Sequence, residues 1–331
     1  MGRFTRFWAV AIAVVGLVPF LAAGAQAQGN GNGNGGDAAA EHARIVDFWT
    51  PARQASAAPR DLTRPDDNSK PANPNGKPGG GGGSGTGDST GATWTGGTSV
   101  VTTTGKVFFT LGSLRYTCSG SAVDSPSGLV VLTAGHCVFD SKLGWASDWE
   151  FIPAYNGPGS APYGTWTATS LFTTAGVAAN SPDRWNDDAG FAVVGNGTSD
   201  TLKTKLGTLP TIDFSAVSNG TNVGTYDAFG YPAARPYTGN TLTYCQGPTT
   251  VGAYDGANTF SMACNMTGGS SGGPWFETFG TNPRIHGLTS YGYQSLKNVL
   301  FGPVLDGPEQ TAYNAAAAAS CAPNVATCTA L

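Results

Sequence analysis

Histidine is scarce in this chain of 331 residues: it has three, and beyond residue 92 only His136 and His286. None of its six cysteines is spaced C-x-x-C. Those two absences reject an imidazole or thiolate metal site, so neither a metal nor a cofactor is expected. Positive charge is short as well. From Ala92 onward nine Lys and Arg stand against fourteen Asp and Glu, which argues against a nucleic-acid partner, since that surface needs clustered cations. Beyond the amino-terminal run no apolar stretch is long enough to cross a bilayer, so no membrane partner is expected after processing. Helical patterns between strands are missing too, which excludes a doubly wound α/β fold.

What is present begins with an export signal. Arg3 and Arg6 precede an apolar run from Phe7 to Leu21, and Ala25, Gln26 and Ala27 form a small-residue exit. That grammar assigns residues 1–27 to a removable signal peptide and the product to the extracellular space. Residues 28–91 hold few large apolar side chains, mainly Ile45, Val46, Phe48, Trp49 and Leu62, and end in "GKPGGGGGSGTGDSTG". Such composition reads as a largely disordered pro-segment and glycine-rich linker, removed in a zymogen, with "EHARIVDFWTPARQAS" as the one patch able to dock. Residues 92–331 form the remaining domain, about 240 residues, enough for one large β domain or two small ones.

All six cysteines, Cys118, Cys137, Cys245, Cys264, Cys321 and Cys328, lie in that domain. An even count in an exported chain reads as disulfides, and pairing of neighbours is the simplest of the fifteen connectivities. Runs such as "GLVVLTA", "WTATSLFTT", "AGFAVV" and "NVGTYDAFGY", set off by Gly, Asn, Pro and Ser, give an all-β domain. One helix is expected, at the carboxyl end, in "GPEQTAYNAAAAAS".

The chemistry concentrates in "MTGGSSGGPW", residues 266–275. Gly269 to Gly273 fit the G-x-S-x-G pattern, but in a glycine-rich chain that alone reads as a turn. An elbow of the α/β-hydrolase kind needs an acid and then a histidine downstream, and only Glu277 and His286 follow within fifteen residues. That leaves no room for the strands and helices in between. The order His, Asp, Ser fits instead. A serine hydroxyl needs an adjacent histidine to take its proton. His136, in "VVLTAGHCV", ends an apolar strand beside Cys137, and a Cys118–Cys137 bridge would stabilise its backbone by ~3 kcal/mol. His286 reads as an ordinary strand residue. "WNDDAGFAVV" supplies the acid to orient the ring, Asp188 in preference to Asp187 because it directly precedes the buried run.

"TAGHC", "DAGFAVV" and "GGSSGGPW", in this order, resemble the chymotrypsin-like serine endopeptidases, and with "FGYPAARPY", "YCQG", "SYG" and "FGP" the likeness is to the secreted bacterial glutamyl-endopeptidase-like branch. The resemblance implies two packed six-stranded antiparallel barrels with the site in the cleft between them. It implies His136 as general base, Asp188 as its orienter, Ser271 as nucleophile, and the N–H groups of Gly269 and Ser271 as oxyanion hole. Asn265 would lie at the floor of the specificity pocket, with Thr289, Ser290 and Gly292 on the substrate-binding strand. Asn265 is no carboxylate, and Thr289 stands where glutamate-specific members carry histidine, so a neutral residue at the cleaved bond is expected. Ser270 replaces the aspartate that pairs with a new amino terminus in trypsin-like relatives, so removal of the pro-segment would act by unblocking the cleft. The expected partner is a protein or peptide substrate, acted on by a monomer. An esterase using the same triad, or a silent binding module on this scaffold, is the alternative.

Overall fold

The computed structural model describes residues 26–29, 35–64, 90–215, 222–252, 254, 258–277 and 283–320. The apolar run of the expected signal, the glycine-rich linker and the pair Cys321 and Cys328 lie outside the described residues.

Twelve strands build two barrels. The first contains β1 (Thr104–Leu111), β2 (Leu114–Val123), β3 (Val130–Ala134), β4 (Ser147–Pro153), β5 (Trp166–Thr173) and β6 (Ala189–Gly195). They pair in the order β5-β4-β1-β2-β3-β6, and β6 returns to β5, which closes the barrel. The second contains β7 (Asn222–Gly230), β8 (Thr243–Val251), β9 (Thr259–Ala263), β10 (Pro274–Phe276), β11 (Arg284–Leu288) and β12 (Val299–Pro303). Their order, β11-β10-β7-β8-β9-β12, repeats that of the first. Closure here is left to two isolated bridges, Gly287 to Val304 and Tyr291 to Phe301. The expectation of two six-stranded antiparallel barrels therefore holds, the second being the less completely closed.

The strands follow their side-chain patterns. Along β8 buried and more exposed positions alternate, as a sheet with one wet face requires. Along β1 all eight residues are buried, so both of its faces are covered. The inner face meets the barrel core of Leu132 and Phe191. Part of the outer cover comes from the leader, whose Trp49 ring lies 5.4 Å from that of Phe108.

That cover differs from the sequence expectation of a largely disordered leader. Residues 35–64 are ordered: a helix Gly35–Phe48 and a second, Pro51–Ser56, started by Pro51 behind the Thr50 cap, lie on the first barrel. Ile45 and Trp49, four residues apart on one helix face, are each 3 % exposed. The composition of 64 residues hides this, because four of the large apolar side chains, Ile45, Val46, Phe48 and Trp49, fall together at the end of the first helix. Residues 26–29, which contain the expected signal exit Ala27, form a short strand antiparallel to β5. At the other end the helix Gly307–Ser320 buries Ala312 and Ala316, and its Tyr313 hydroxyl donates to the Asp124 carbonyl at 2.8 Å. Two disulfides, Cys118–Cys137 and Cys245–Cys264, join neighbours in sequence. No helix among the described residues is long and apolar enough to cross a membrane.

Glu150 on β4 is 1 % exposed and accepts from the Gln54 amide of the leader at 2.9 Å. Burial pushes its carboxyl from the ordinary 4.5 up to about 8, against the Gln54 bond, which favours the charged form. A raised folded value means that the folded chain holds the proton more tightly than the unfolded one. The resulting stability is complete below pH 4.5 and is lost as pH rises through about 8. Urea denaturation of the unprocessed chain at intervals across that range is expected to show this decline. Glu150→Gln is expected to flatten it.

Candidate active site

β3 and β6 run antiparallel with Ala134 opposite Ala189. Residues just past the end of β3 and just before the start of β6 are therefore neighbours. His136 occupies the first position, in the single 3-10 turn Gly135–Cys137, and Asp188 the second. The Cys137–Cys118 bridge ties that turn to β2. His136 Nδ1 lies 2.7 Å from Asp188 Oδ2, and the His136 backbone N–H donates to Oδ1 at 2.9 Å. The Ser290 hydroxyl donates to Oδ2 at 2.5 Å. Asp188 is buried, and burial pushes its carboxyl up. The neighbouring imidazole and the hydrogen bonds from His136 and Ser290 outweigh that and hold it below the usual carboxylate range.

Asp187 faces elsewhere. Its carboxylate lies by Gly176, and its carbonyl accepts from the Thr174 hydroxyl at 2.7 Å. Burial, with Asp306 and Asp183 nearby, raises its carboxyl to about 6. His286 is on β11 with Glu277 3.5 Å away and the Tyr226 ring beside it.

Ser271 sits in a loop with no space for side chains. Gly272 has φ +83°, and a Cβ there would meet Ser119 O at 2.3 Å. A Cβ on Gly273 would come within 1.9 Å of Phe229 O. Both positions need glycine for close approach of backbone, and the first also for its left-handed conformation. Across the barrel boundary Ser119 pins the loop: its N–H donates to Ser271 O at 2.7 Å and its hydroxyl to Gly269 O at 2.8 Å. The Ser271 hydroxyl donates to Arg60 O at 3.3 Å, and the Gly269 N–H donates to that same oxygen at 3.3 Å. His136 Nε2 is buried and has no hydrogen-bond partner.

The fold has solved counterparts. No protein-family model matches the chain. The protease Anisep from Arthrobacter nicotinovorans is 37 % identical, with a TM-score of 0.62 over 69 % of this chain and 99 % of that one. The thermostable serine protease AL20, from an extremophilic microorganism, is 39 % identical, with a TM-score of 0.59 over 67 % of this chain and 99 % of that one. The chain belongs to the chymotrypsin-like serine proteases. A Glu endopeptidase solved in complex with MPD shares the fold at 19 % identity and a TM-score of 0.53, over 69 % of this chain and 96 % of that one. Separately, a stretch of 64 residues is 41 % identical to the extracellular metalloprotease of Bacillus subtilis strain 168. That match spans 19 % of this chain and 19 % of that relative. In the protease described here, Cys118, His136 and Cys137 are the grouped residues with metal-ligating atoms among the described ones. Their two sulfurs are joined in a disulfide and offer no thiolate.

The residues expected to bind substrate have different surroundings. The half-buried Gly292 donates its N–H to Leu62 O at 3.1 Å. Ser290 turns its hydroxyl inward to Asp188, a role its sequence position gave no sign of. The Thr289 hydroxyl accepts from Trp275 Nε1 at 2.9 Å, inside the second barrel. Asn265 Oδ1 accepts from the Gly91 N–H at 2.8 Å and from the Tyr237 hydroxyl, so residue 91 lies over the expected pocket floor. A cavity of about 150 Å³ opens beside His136 and Asp188, walled by Arg60, Leu62, Phe139 and Trp185.

Asp188→Asn removes the charge that favours the Nδ1–H tautomer while keeping the side chain's shape. In the processed protease it is expected to lower kcat by about 10⁴-fold with the fold unchanged by circular dichroism. Asp187→Asn is expected to leave kcat nearly intact. Steady-state hydrolysis of a peptide substrate checks both.

Proposed function

We propose that the protein is a secreted serine endopeptidase that cleaves peptide bonds through an acyl-enzyme on Ser271. The observation that carries this reading is the 2.7 Å contact of His136 Nδ1 with the buried Asp188 carboxylate, beside a serine in a glycine-lined loop. With Nδ1–H donated to Asp188, the free electron pair of the ring is on Nε2, where a base must have it. His136 takes the Ser271 proton as Oγ attacks the substrate carbonyl carbon. Asp188 stabilises the imidazolium so formed. The developing oxyanion is held by the N–H groups of Gly269 and Ser271, each worth about 3 kcal/mol in the transition state. His136 then passes the proton to the leaving amine, which departs as the C–N bond breaks. Water, deprotonated by the same ring, attacks the acyl-enzyme and frees the second product and Ser271.

Ser290 is a positioning residue in this scheme: it fixes the Asp188 oxygen that faces the ring. The N–H of Gly292 suits an extended substrate backbone, since it already holds the Leu62 carbonyl of the leader. Asn265, uncharged, favours a neutral side chain at the cleaved bond. The paired cysteines suit an oxidising compartment. With the amino-terminal signal pattern they support export.

The test is digestion of a denatured protein mixture by the processed protein, with cut sites read by mass spectrometry. Ser271→Ala is expected to lower kcat on the order of 10⁶-fold, and the wild type to cut after uncharged residues. A folded, processed wild type that hydrolyses simple esters but no peptide would move the assignment to an esterase.

A further inference from the structure

The leader does not pass over the surface on its way to the linker; it runs through the cleft. Ala58–Pro59 pair in parallel with Tyr116–Thr117 of β2, and the Arg60 N–H donates to Thr117 O at 2.9 Å. Farther on, Thr63–Arg64 pair in parallel with Gly292–Tyr293. Between these two contacts the Arg60 carbonyl takes the N–H of Gly269 and the hydroxyl of Ser271. The serine proton is thus directed at the leader, and His136 Nε2 is left buried without a partner.

We propose that residues 58–64 hold the protease inactive as a strap laid through the cleft in the direction that cannot be cut. The proposal rests on the serine-endopeptidase reading given above. Hydrolysis at the Arg60 carbonyl would require the amide nitrogen of Asp61 to leave toward His136, which must protonate it. The chain after Arg60 turns first to the second barrel. Asp61 packs on Gly268, where a Cβ would lie 2.8 Å from its own, and Leu62 to Arg64 continue along residues 292–293. Ala58 and Pro59, before Arg60, run along β2 next to Cys118, the bridge partner of Cys137, while Leu62, after it, lines the cavity beside His136. The strap therefore sets a carbonyl on the Gly269 N–H and the Ser271 hydroxyl, while Asp61, which carries the bond's leaving nitrogen, packs against Gly268.

Two cations anchor it. Arg60 pairs with Asp140 at 2.6 Å and lies 5.0 Å over the Tyr116 ring, with both charged partners mostly buried. Arg64 lies within 5.5 to 5.8 Å of the Trp185, Tyr291 and Tyr293 rings. These rings attract a cation through their negative faces. The buried Trp49, just past the first helix, tethers the strap to the same molecule, so its local concentration stays high whatever the dilution.

The experiment compares rates of Ser271 labelling by a fluorophosphonate. The unprocessed chain, its Arg60→Ala, Arg64→Ala and doubly substituted forms, and each of these after the leader is removed are labelled in parallel. The unprocessed wild type is expected to react about 100-fold more slowly than the processed protein, with each anchor accounting for about tenfold. Each single substitution recovers about tenfold and the double substitution most of the difference. All forms react equally once the leader is gone, which also shows that the variants fold. Mass spectrometry of the dilute unprocessed chain is expected to find the Arg60–Asp61 bond intact. Equal labelling of unprocessed and processed wild type overturns the strap, and self-cleavage at Arg60–Asp61 overturns its direction. A processed chain that is folded yet never labelled overturns the endopeptidase reading, and the strap with it.

Discussion

A carboxylate kept out of water needs donors, and the arrangement around Asp188 depends on where they come from. The His136 ring and backbone reach it from the turn after β3, and Ser290 reaches it from the second barrel. Removing any one leaves a buried charge short of a partner, which is costlier than losing a bond in water. The carboxylate can exist only when β3, β6 and the segment after β11 are all in register. That makes it a check on the assembly of both barrels as well as a support for the imidazole.

Ser119 does the same for the loop that carries Ser271. It belongs to β2 of the first barrel, yet its N–H and hydroxyl hold the carbonyls of Ser271 and Gly269, while its own hydroxyl accepts from the Tyr231 N–H at 2.8 Å. The bridge between Cys118, next to it, and Cys137, next to His136, links the two pins covalently. His136 and Ser271 come from different barrels, and hydrogen bonds across the boundary hold the Ser271 loop directly and His136 by way of Asp188. Sequence-distant residues with small side chains suit this use, because a hydroxyl on a strand gives direction without bulk.

How legible each part was follows from how local its cause is. His136 and Ser271 stand in short motifs, one at a strand end and the other among glycines that close packing demands, so the chain displays them directly. Asp188 was preferred to Asp187 from strand position, and the structure puts Asp188, not Asp187, against the ring. Ser119, and the turning of Ser290 toward Asp188, could not be read, since each depends on register between segments more than a hundred residues apart. Thr289 was expected at the substrate, but its hydroxyl is engaged by Trp275. The two barrels followed from the family resemblance; the strand rhythm alone gave only an all-β domain. The leader departs most. Averaged composition suggested disorder, while Ile45, Trp49, Arg60 and Arg64 each find a specific seat on the protease.

The account turns on one interatomic distance, from Ser271 Oγ to His136 Nε2, in a crystal structure of the processed protein with the leader absent. With the Arg60 carbonyl gone, the hydroxyl is expected to swing to the orphaned ring nitrogen and settle at about 3 Å, a hydrogen bond that completes the relay from Asp188. A processed structure in which Ser271 still points away, with the ring nitrogen unpartnered and the cleft empty, would contradict both the assigned chemistry and the part given to the leader.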